Sequence, residues 1–423
     1  MQLSIVGDPS PEAWSRVWCY ASWMHWLFTH ERSTVVEDTF HRLRRNSPAG
    51  GWFPALRTLF LCITESNLPY VNLFFSPHLK NISICTPQLW TISCDIQAAI
   101  ASTISALPIS TLQSLSIDIE CATPSAYFKD SLSSITWCCR PSLTMFNSLA
   151  PLSDAAVNHL IQLPHLRIWH IEGPPPNYST SSLPLVFPPL TEFTLGEGAA
   201  RGWLFLLGHL EGNASTMQGM TPLSRVKDSL TSLNIDDFSC PIIDVSSTTP
   251  IQIFRNLVQL WVGVYCPGGE EGGQCTFKLD DDEVAKLAMA PPQLKSLSLR
   301  IPCPQNICAT PVASLLLISV HYIELEDLAI HFNTTSIVDD FGNISKDPKF
   351  RELRSLPRCT LSYLDVERIR LILDEPDFKI VVNGMIDIFP FLRRCAGLGQ
   401  GWKDISERMG EFQEMRMILS YFG

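Results

Sequence analysis

Cysteine, histidine and clustered carboxylates are the side chains through which this chain could do chemistry. Fourteen cysteines are many. A zinc site or redox centre would need them paired as Cys-x-x-Cys or set among histidines at ligand spacing, and neither pattern occurs. Cys138 and Cys139 are adjacent, and Cys303 and Cys308 flank a short loop. They read as reduced, mostly buried thiols. His159, His165, His170, His209, His321 and His331 keep no fixed offset from acids or thiols. They read as surface or half-buried residues. The run Asp280–Glu283 lacks the spaced oxygens of a calcium loop and suits a helix start, where carboxylates are favoured. Gly-Gly-Glu-Glu-Gly-Gly at 268–273 has no lysine after it and reads as a surface loop, not a phosphate cradle. No Gly-x-Ser-x-Gly, Walker loop or His-Glu-x-x-His is present. The expectation is a protein that is not an enzyme, with no catalytic residue, cofactor or metal.

What remains is binding, and the elements that must present a binding surface are repeats. The hexamer Leu-x-x-Φ-x-Φ, with Φ apolar, begins at Leu56, Leu79, Leu112, Leu166, Leu190, Leu230, Leu257, Leu294, Leu325 and Leu361, with a degraded copy at Leu143. The mean step is about 30 residues. Positions four and six alternate with polar ones, so each copy is a short strand with one apolar face. So short a strand cannot hide that face alone, but stacking the copies as a parallel sheet buries it in one core.

Parallel strands need crossovers, usually helical. Before Leu166, Ser153 or Asp154 caps a helix whose Val157, Leu160 and Ile161 share one face, and Pro164 ends it. Helices are expected likewise over 96–107 before Leu112, over 280–290 before Leu294 and over 347–356 before Leu361. Segments 11–28 and 35–43 also read as helical. The loop 173–182, with three prolines, and the insertion around 197–213 read as longer connections.

Hexamer positions three, five and seven must point away from the core. They supply Asp118, Ile168, His170, Glu172, Glu192, Asn234, Asp236, Gln259, Trp261, Arg300, Asp327, His331, Tyr363, Asp365 and Glu367. Seven are acidic and one is firmly basic. Trp261 and Tyr363 are aromatic anchors of the kind enriched at binding hot spots. The expected partner is a protein segment with Lys/Arg character, steered by the negative field. The bland alternative is a solvated acidic face.

Trp14, Trp18, Trp23 and Trp26 crowd the start of the chain, and Ile405, Met409, Phe412, Met415 and Leu419 line a helix near its end. Both read as caps over the ends of the array, with partner-binding helices as the alternative. Hydrophobic residues make up 46% of the chain and charged residues 17%, enough for a large core. A net charge of −11 argues against nucleic acid as a partner. No apolar run reaches the roughly 18 residues of a membrane span, and no signal-peptide core is evident, so no membrane partner is expected and the location is cytoplasmic or nuclear.

The repeats, with stretches such as FPALRTLFL, LPHLRIWHIEGPPPNYS and FRELRSLPRCTLSYLDV, resemble the F-box/leucine-rich-repeat proteins, in particular those of basidiomycete fungi. The resemblance implies an α/β leucine-rich-repeat solenoid, a horseshoe with strands on the concave face and helices outside. It also implies a substrate receptor of an SCF-type ubiquitin ligase, docked on the ligase adaptor through an F-box. Residues 1–50 lack the Leu-Pro opening of that box. The expected layout is therefore an N-terminal helical cap or F-box remnant over 1–50, an irregular solenoid over 51–395, and a helical cap over 396–423. A leucine-rich-repeat scaffold without ligase role is the alternative.

Overall fold

The computed structural model describes residues 2–3, 9–29, 34–35, 37–48, 51–87, 93–107, 111–119, 125–139, 141–150, 152–172, 187–196, 224–237, 254–264, 293–300, 312–330, 337–346, 348, 356–370, 373–398 and 400–422. The chain forms two compact units, 1–190 and 191–423.

In the first unit six strands pair side by side: β1 (Trp26–Thr29), β2 (Thr58–Cys62), β3 (Asn81–Cys85), β4 (Ser114–Asp118), β5 (Met145–Ser148) and β6 (Ile168–Ile171). Every pairing is parallel. The second unit repeats the arrangement with β7 (Glu192–Leu195), β8 (Ser232–Asp237), β9 (Gln259–Val264), β10 (Ser296–Arg300), β11 (Asp327–Ile330), β12 (Tyr363–Arg370) and β13 (Arg394–Leu398). Each hexamer in the sequence lies on one of these strands. Each unit is thus an open, all-parallel α/β array of the leucine-rich-repeat-like solenoid type.

The physical reason for the hexamer is visible residue by residue. The leucine at position one is at most 1% exposed in every copy from Leu56 to Leu361. Position four (Leu59, Ile82, Leu115, Phe146, Trp169, Phe193, Leu233, Leu260, Leu297, Leu328, Leu364) is at most 2% exposed. The degraded copy puts Ser148 in the core at position six, and its hydroxyl donates to Ala150 O at 2.9 Å instead of standing unpaired. Register is fixed by a recurring backbone device. The carbonyl at position two accepts the N–H groups of positions two and three of the next copy. Lys80 and Asn81 donate to Arg57 O at 2.8 and 3.0 Å, and Lys295 and Ser296 donate to Val258 O at 2.8 and 3.1 Å. The position-two carbonyl of that next copy, such as Lys80 O, accepts in turn from Gln113 and Ser114, so a one-residue slip, which would turn every core side chain outward, is disfavoured at each step.

Helices carry the chain between strands. In the first unit these are α1 (Pro11–Ser22), α2 (Glu37–Arg45), α3 (Cys94–Ser105), α4 (Ala126–Cys138) and α5 (Asp154–Ile161). In the second they are α6 (Ser224–Ser229), α7 (Val312–His321), α8 (Ile337–Lys346), α9 (Glu375–Ile388) and α10 (Gln400–Phe422). Side-chain caps start many of them. Ser153 Oγ accepts from Ala156 N at 3.3 Å, as the sequence predicts, and Ser93, Ser125 and Asp374 cap α3, α4 and α9. Val157, Leu160 and Ile161 of α5 are all buried.

One expectation needs correction. Residues 11–28 are not one helix. α1 stops at Ser22, and Trp26-Leu27-Phe28-Thr29 forms β1 instead. The reason is pairing: His25 O accepts the N–H groups of Arg57 and Thr58, and the His25 ring meets Ala55 O at 3.0 Å, which draws the segment onto β2. α8 precedes the segment 347–356, and the helix expected there lies outside the described residues except at 348, which is helical, and 356. The helix expected over 280–290, the loop 173–182 and the insertion around 197–213 also lie outside them. No helix is long and apolar enough to cross a membrane among the described residues.

Candidate partner-binding face

Alternation along each strand leaves hexamer positions three, five and seven on the face opposite the core. In the first unit, parallel register sets Phe60, Ser83, Ser116, Asn147 and His170 side by side at position five, with Phe28 ahead of them on β1. Phe28 stacks on Phe60, with ring centroids 4.3 Å apart. Next to the stack is a polar network. Ser116 Oγ donates to Asp118 Oδ2 at 3.0 Å, while Asn147 Nδ2 donates to Ser116 Oγ at 3.0 Å and to Asp118 Oδ1 at 2.6 Å. Burial pushes the Asp118 carboxyl above the ordinary carboxylate range, and the Ser116 and Asn147 bonds pull it partly back. Burial also pulls the imidazole of His170, the next residue in the row, below the ordinary histidine range. Glu172, just past β6, is half-buried.

The second unit presents two parallel rows. One runs Glu192, Ser232, Gln259, Ser296, Asp327, Tyr363, Arg394, and the other runs Thr194, Asn234, Trp261, Ser298, Ala329, Asp365, Ala396. Asp236 lies one step further along β8, opposite Gly263, whose other neighbour is Arg300. The fold therefore brings Asn234, Asp236 and Trp261 together, and sets Asp327 beside Tyr363 with Asp365 two residues along β12. Glu192, on β7, stands apart from them. Arg300 and Glu367 lie on β10 and β12, but their side chains are outside the described residues, as is all of His331. Asp327 is exposed, and its carboxyl is pushed up by burial and by the neighbouring charge of Glu326. Glu326 itself pairs with Lys295 at 3.3 Å.

Trp261 is half-buried, and its indole lies forward along its own strand, over Gly263. A methyl group at Gly263 would stand 2.4 Å from its Cη2, so only a glycine fits beneath the ring. At Tyr363 the Arg394 guanidinium carbon is 5.9 Å from the ring centroid.

Four residues of this face were not singled out from sequence. Ser116, Asn147 and Ser298 occupy position five, where the same alternation points outward, and a polar residue there is the signal that could have found them. Arg394 lies on β13, whose hexamer is degraded to Leu-x-x-Cys-x-Gly from Leu392.

Elsewhere the chemistry is quiet. Burial pushes the thiols of Cys139 and Cys395 up to about 12 and that of Cys359 up to about 11, so they stay protonated and unreactive at neutral pH. No group of three His, Cys, Asp or Glu converges as a metal site among the described residues. A cavity of about 620 Å³ beside the 3₁₀ helix Leu68–Phe74 and the start of α3 has Glu65 and Asp95 in its lining, with neither a histidine nor a thiol. A second surface is aromatic: Trp18, Tyr20, Trp23, Trp26 and Phe28 are all exposed, Trp26 by 77%.

No protein-family model matches the chain, and no curated protein matches it significantly.

Proposed function

We propose that this chain is a non-catalytic recognition protein that holds a protein target against the open sheet face of its second unit. One observation carries the reading: Glu192, Asp236, Asp327 and Asp365 lie on separate strands of one face where Arg394 is the one cation among the described side chains, and Glu192 and Asp327 make no ion pair among the described residues. Such a face attracts and orients a basic segment. The test is fluorescence anisotropy of a labelled peptide alternating lysine and serine, titrated with the full chain and with an Asp236→Lys, Asp327→Lys, Asp365→Lys variant. Reversal of three charges is expected to weaken binding by at least about tenfold. Equal binding by both proteins would sink the reading.

The finer proposal is that the target is passed to a ubiquitin ligase of the SCF type, with this chain as substrate receptor. The exposed aromatics of α1 and β1 supply the surface an adaptor would grip, because large exposed apolar patches mark interaction sites. Pull-down of the purified F-box-binding adaptor by the full chain, lost on Trp18→Ala with Trp23→Ala, is the expected result. No capture by the unmodified chain would leave a recognition scaffold without a ligase role.

A further inference from the structure

Trp261 is surrounded by groups that ask for a donor. On one side stands Asn234, in direct register with it on β8. Its Oδ1 is inaccessible to water and has no hydrogen-bond partner. On the other side stands Ser298, in register on β10 and only 7% exposed, whose Oγ is likewise without a partner. An unpaired acceptor shielded from water costs about 1–3 kcal/mol, so both atoms would gain from a donor once binding turns the side chains outward to meet it. Neighbouring strands are about 4.8 Å apart, so Asn234 and Ser298 each stand one strand away from Trp261. Asp236, two residues beyond Asn234, is in register with Gly263, over which the indole lies, and so adds a carboxylate along the same edge. No ring or cation stacks on Trp261 among the described residues.

We infer that Trp261, with Asn234 and Asp236 along one edge and Ser298 on the other, forms a subsite for an arginine side chain of the bound segment. The inference rests on the proposed recognition role and specifies its chemistry. A guanidinium is planar and carries donors around its rim, so it stacks on an indole while donating in its plane. It answers Asn234 Oδ1 and the Asp236 carboxylate together, and the segment's next N–H group answers Ser298 Oγ. A lysine ammonium is compact and strongly hydrated, so it satisfies the carboxylate but gains less from the ring.

The test uses the full chain and three labelled nonapeptides of glycine and serine, with arginine, lysine or citrulline at every third position. Citrulline keeps the planar shape of arginine but not its charge. The expected order is arginine over lysine by about fivefold, with citrulline weakest. In Trp261→Ala the arginine and lysine peptides should bind alike, while Trp261→Phe keeps part of the preference. Arg300→Ala, which removes the cation across Gly263, should leave the preference or increase it. The subsite is overturned if arginine and lysine bind equally to the unmodified chain, if the preference survives Trp261→Ala, or if it vanishes in Arg300→Ala. Should both basic peptides bind equally and both be lost on reversing Asp236, Asp327 and Asp365, the acidic face stands and the arginine subsite falls. Circular dichroism of each variant guards against loss of fold.

Discussion

The two terminal segments of the chain carry similar apolar payloads and use them differently. α10 buries Trp402, Ile405 and Met409 to 1% exposure or less. Its Trp402 ring lies over Gly397 of β13, where a methyl group would stand 2.5 Å from Cδ1 and 2.8 Å from Cγ2 of Val366 on β12. α1, by contrast, buries only Ala21, and Trp18, Tyr20 and Trp23 stay exposed. Its one firm anchor is Trp14, with its ring 5.6 Å from that of Trp52, which is itself buried and donates from Nε1 to Leu43 O at 2.8 Å. Aromatic content says how much area a segment offers. Whether the area is buried depends on a surface shaped to receive it, and the glycine at 397 supplies that shape for Trp402.

The contrast is breakable by mutation, most strongly at the C-terminal segment. Trp402→Ala should lower unfolding stability by roughly 3–5 kcal/mol in urea titration, because it leaves a cavity the size of an indole. Trp23→Ala should stay within about 0.5 kcal/mol by the same measurement. Similar losses for the two would erase the distinction. Gly397→Ala attacks the same contact from the other side, since the added methyl collides with Trp402 and Val366; a cost of about 1–3 kcal/mol is expected. The helix caps sharpen the comparison. Asp374 accepts from Asp377 N at 3.0 Å at the start of α9, which buries Val381, Val382, Met385 and Ile388. Asp374→Ala should cost about 1 kcal/mol. Ser10→Ala removes the equivalent bond to Ala13 from α1 and should cost less, because fraying a helix that buries so little leaves the core intact.

The smallest effect is one of pH. Burial lowers the pKa of His170, so below the ordinary histidine range the native state binds fewer protons than the unfolded chain. Stability then falls as pH falls through that window. His170→Gln should flatten the decline in melting temperature between about pH 7 and pH 5. Asp118 acts with the opposite sign, since its raised pKa makes its ionisation a burden that eases in acid, but it titrates in the lower carboxylate window.

The open faces of the two units differ in a parallel way. In the first, Ser116, Asp118 and Asn147 share three bonds, although Asn147 Oδ1 is itself left without a partner. In the second, Asn234 Oδ1 and Ser298 Oγ find no partner, and the carboxylates are spread along separate strands. Polar side chains that bond to each other have less to offer a ligand.

Much of the fold was legible because one local rule repeats. Leucine at the first position and apolar residues at the fourth and sixth fix strand, core face and outward face without reference to distant residues, and Ser153 could be read as a cap from its own neighbours. β1 and β13 were not legible, since Trp26–Thr29 and Arg394–Leu398 carry weak versions of the pattern and become strands because a neighbour offers unpaired backbone groups. At the candidate face, the sequence placed Asn234, Asp236, Trp261, Asp327 and Asp365 on the outward side. It could not say that Arg394 covers Tyr363 or that Ser298 and Asn234 lack partners.

By itself, then, the sequence determined the repeat, its strands and the side of the sheet on which each side chain lies, because alternation and burial act between near neighbours. The tertiary structure decided which outward residues meet across strands, which polar atoms are satisfied, and which aromatic residues find a cavity. Those outcomes depend on register between copies about 30 residues apart, and on the packing of side chains that no spacing along the chain brings together.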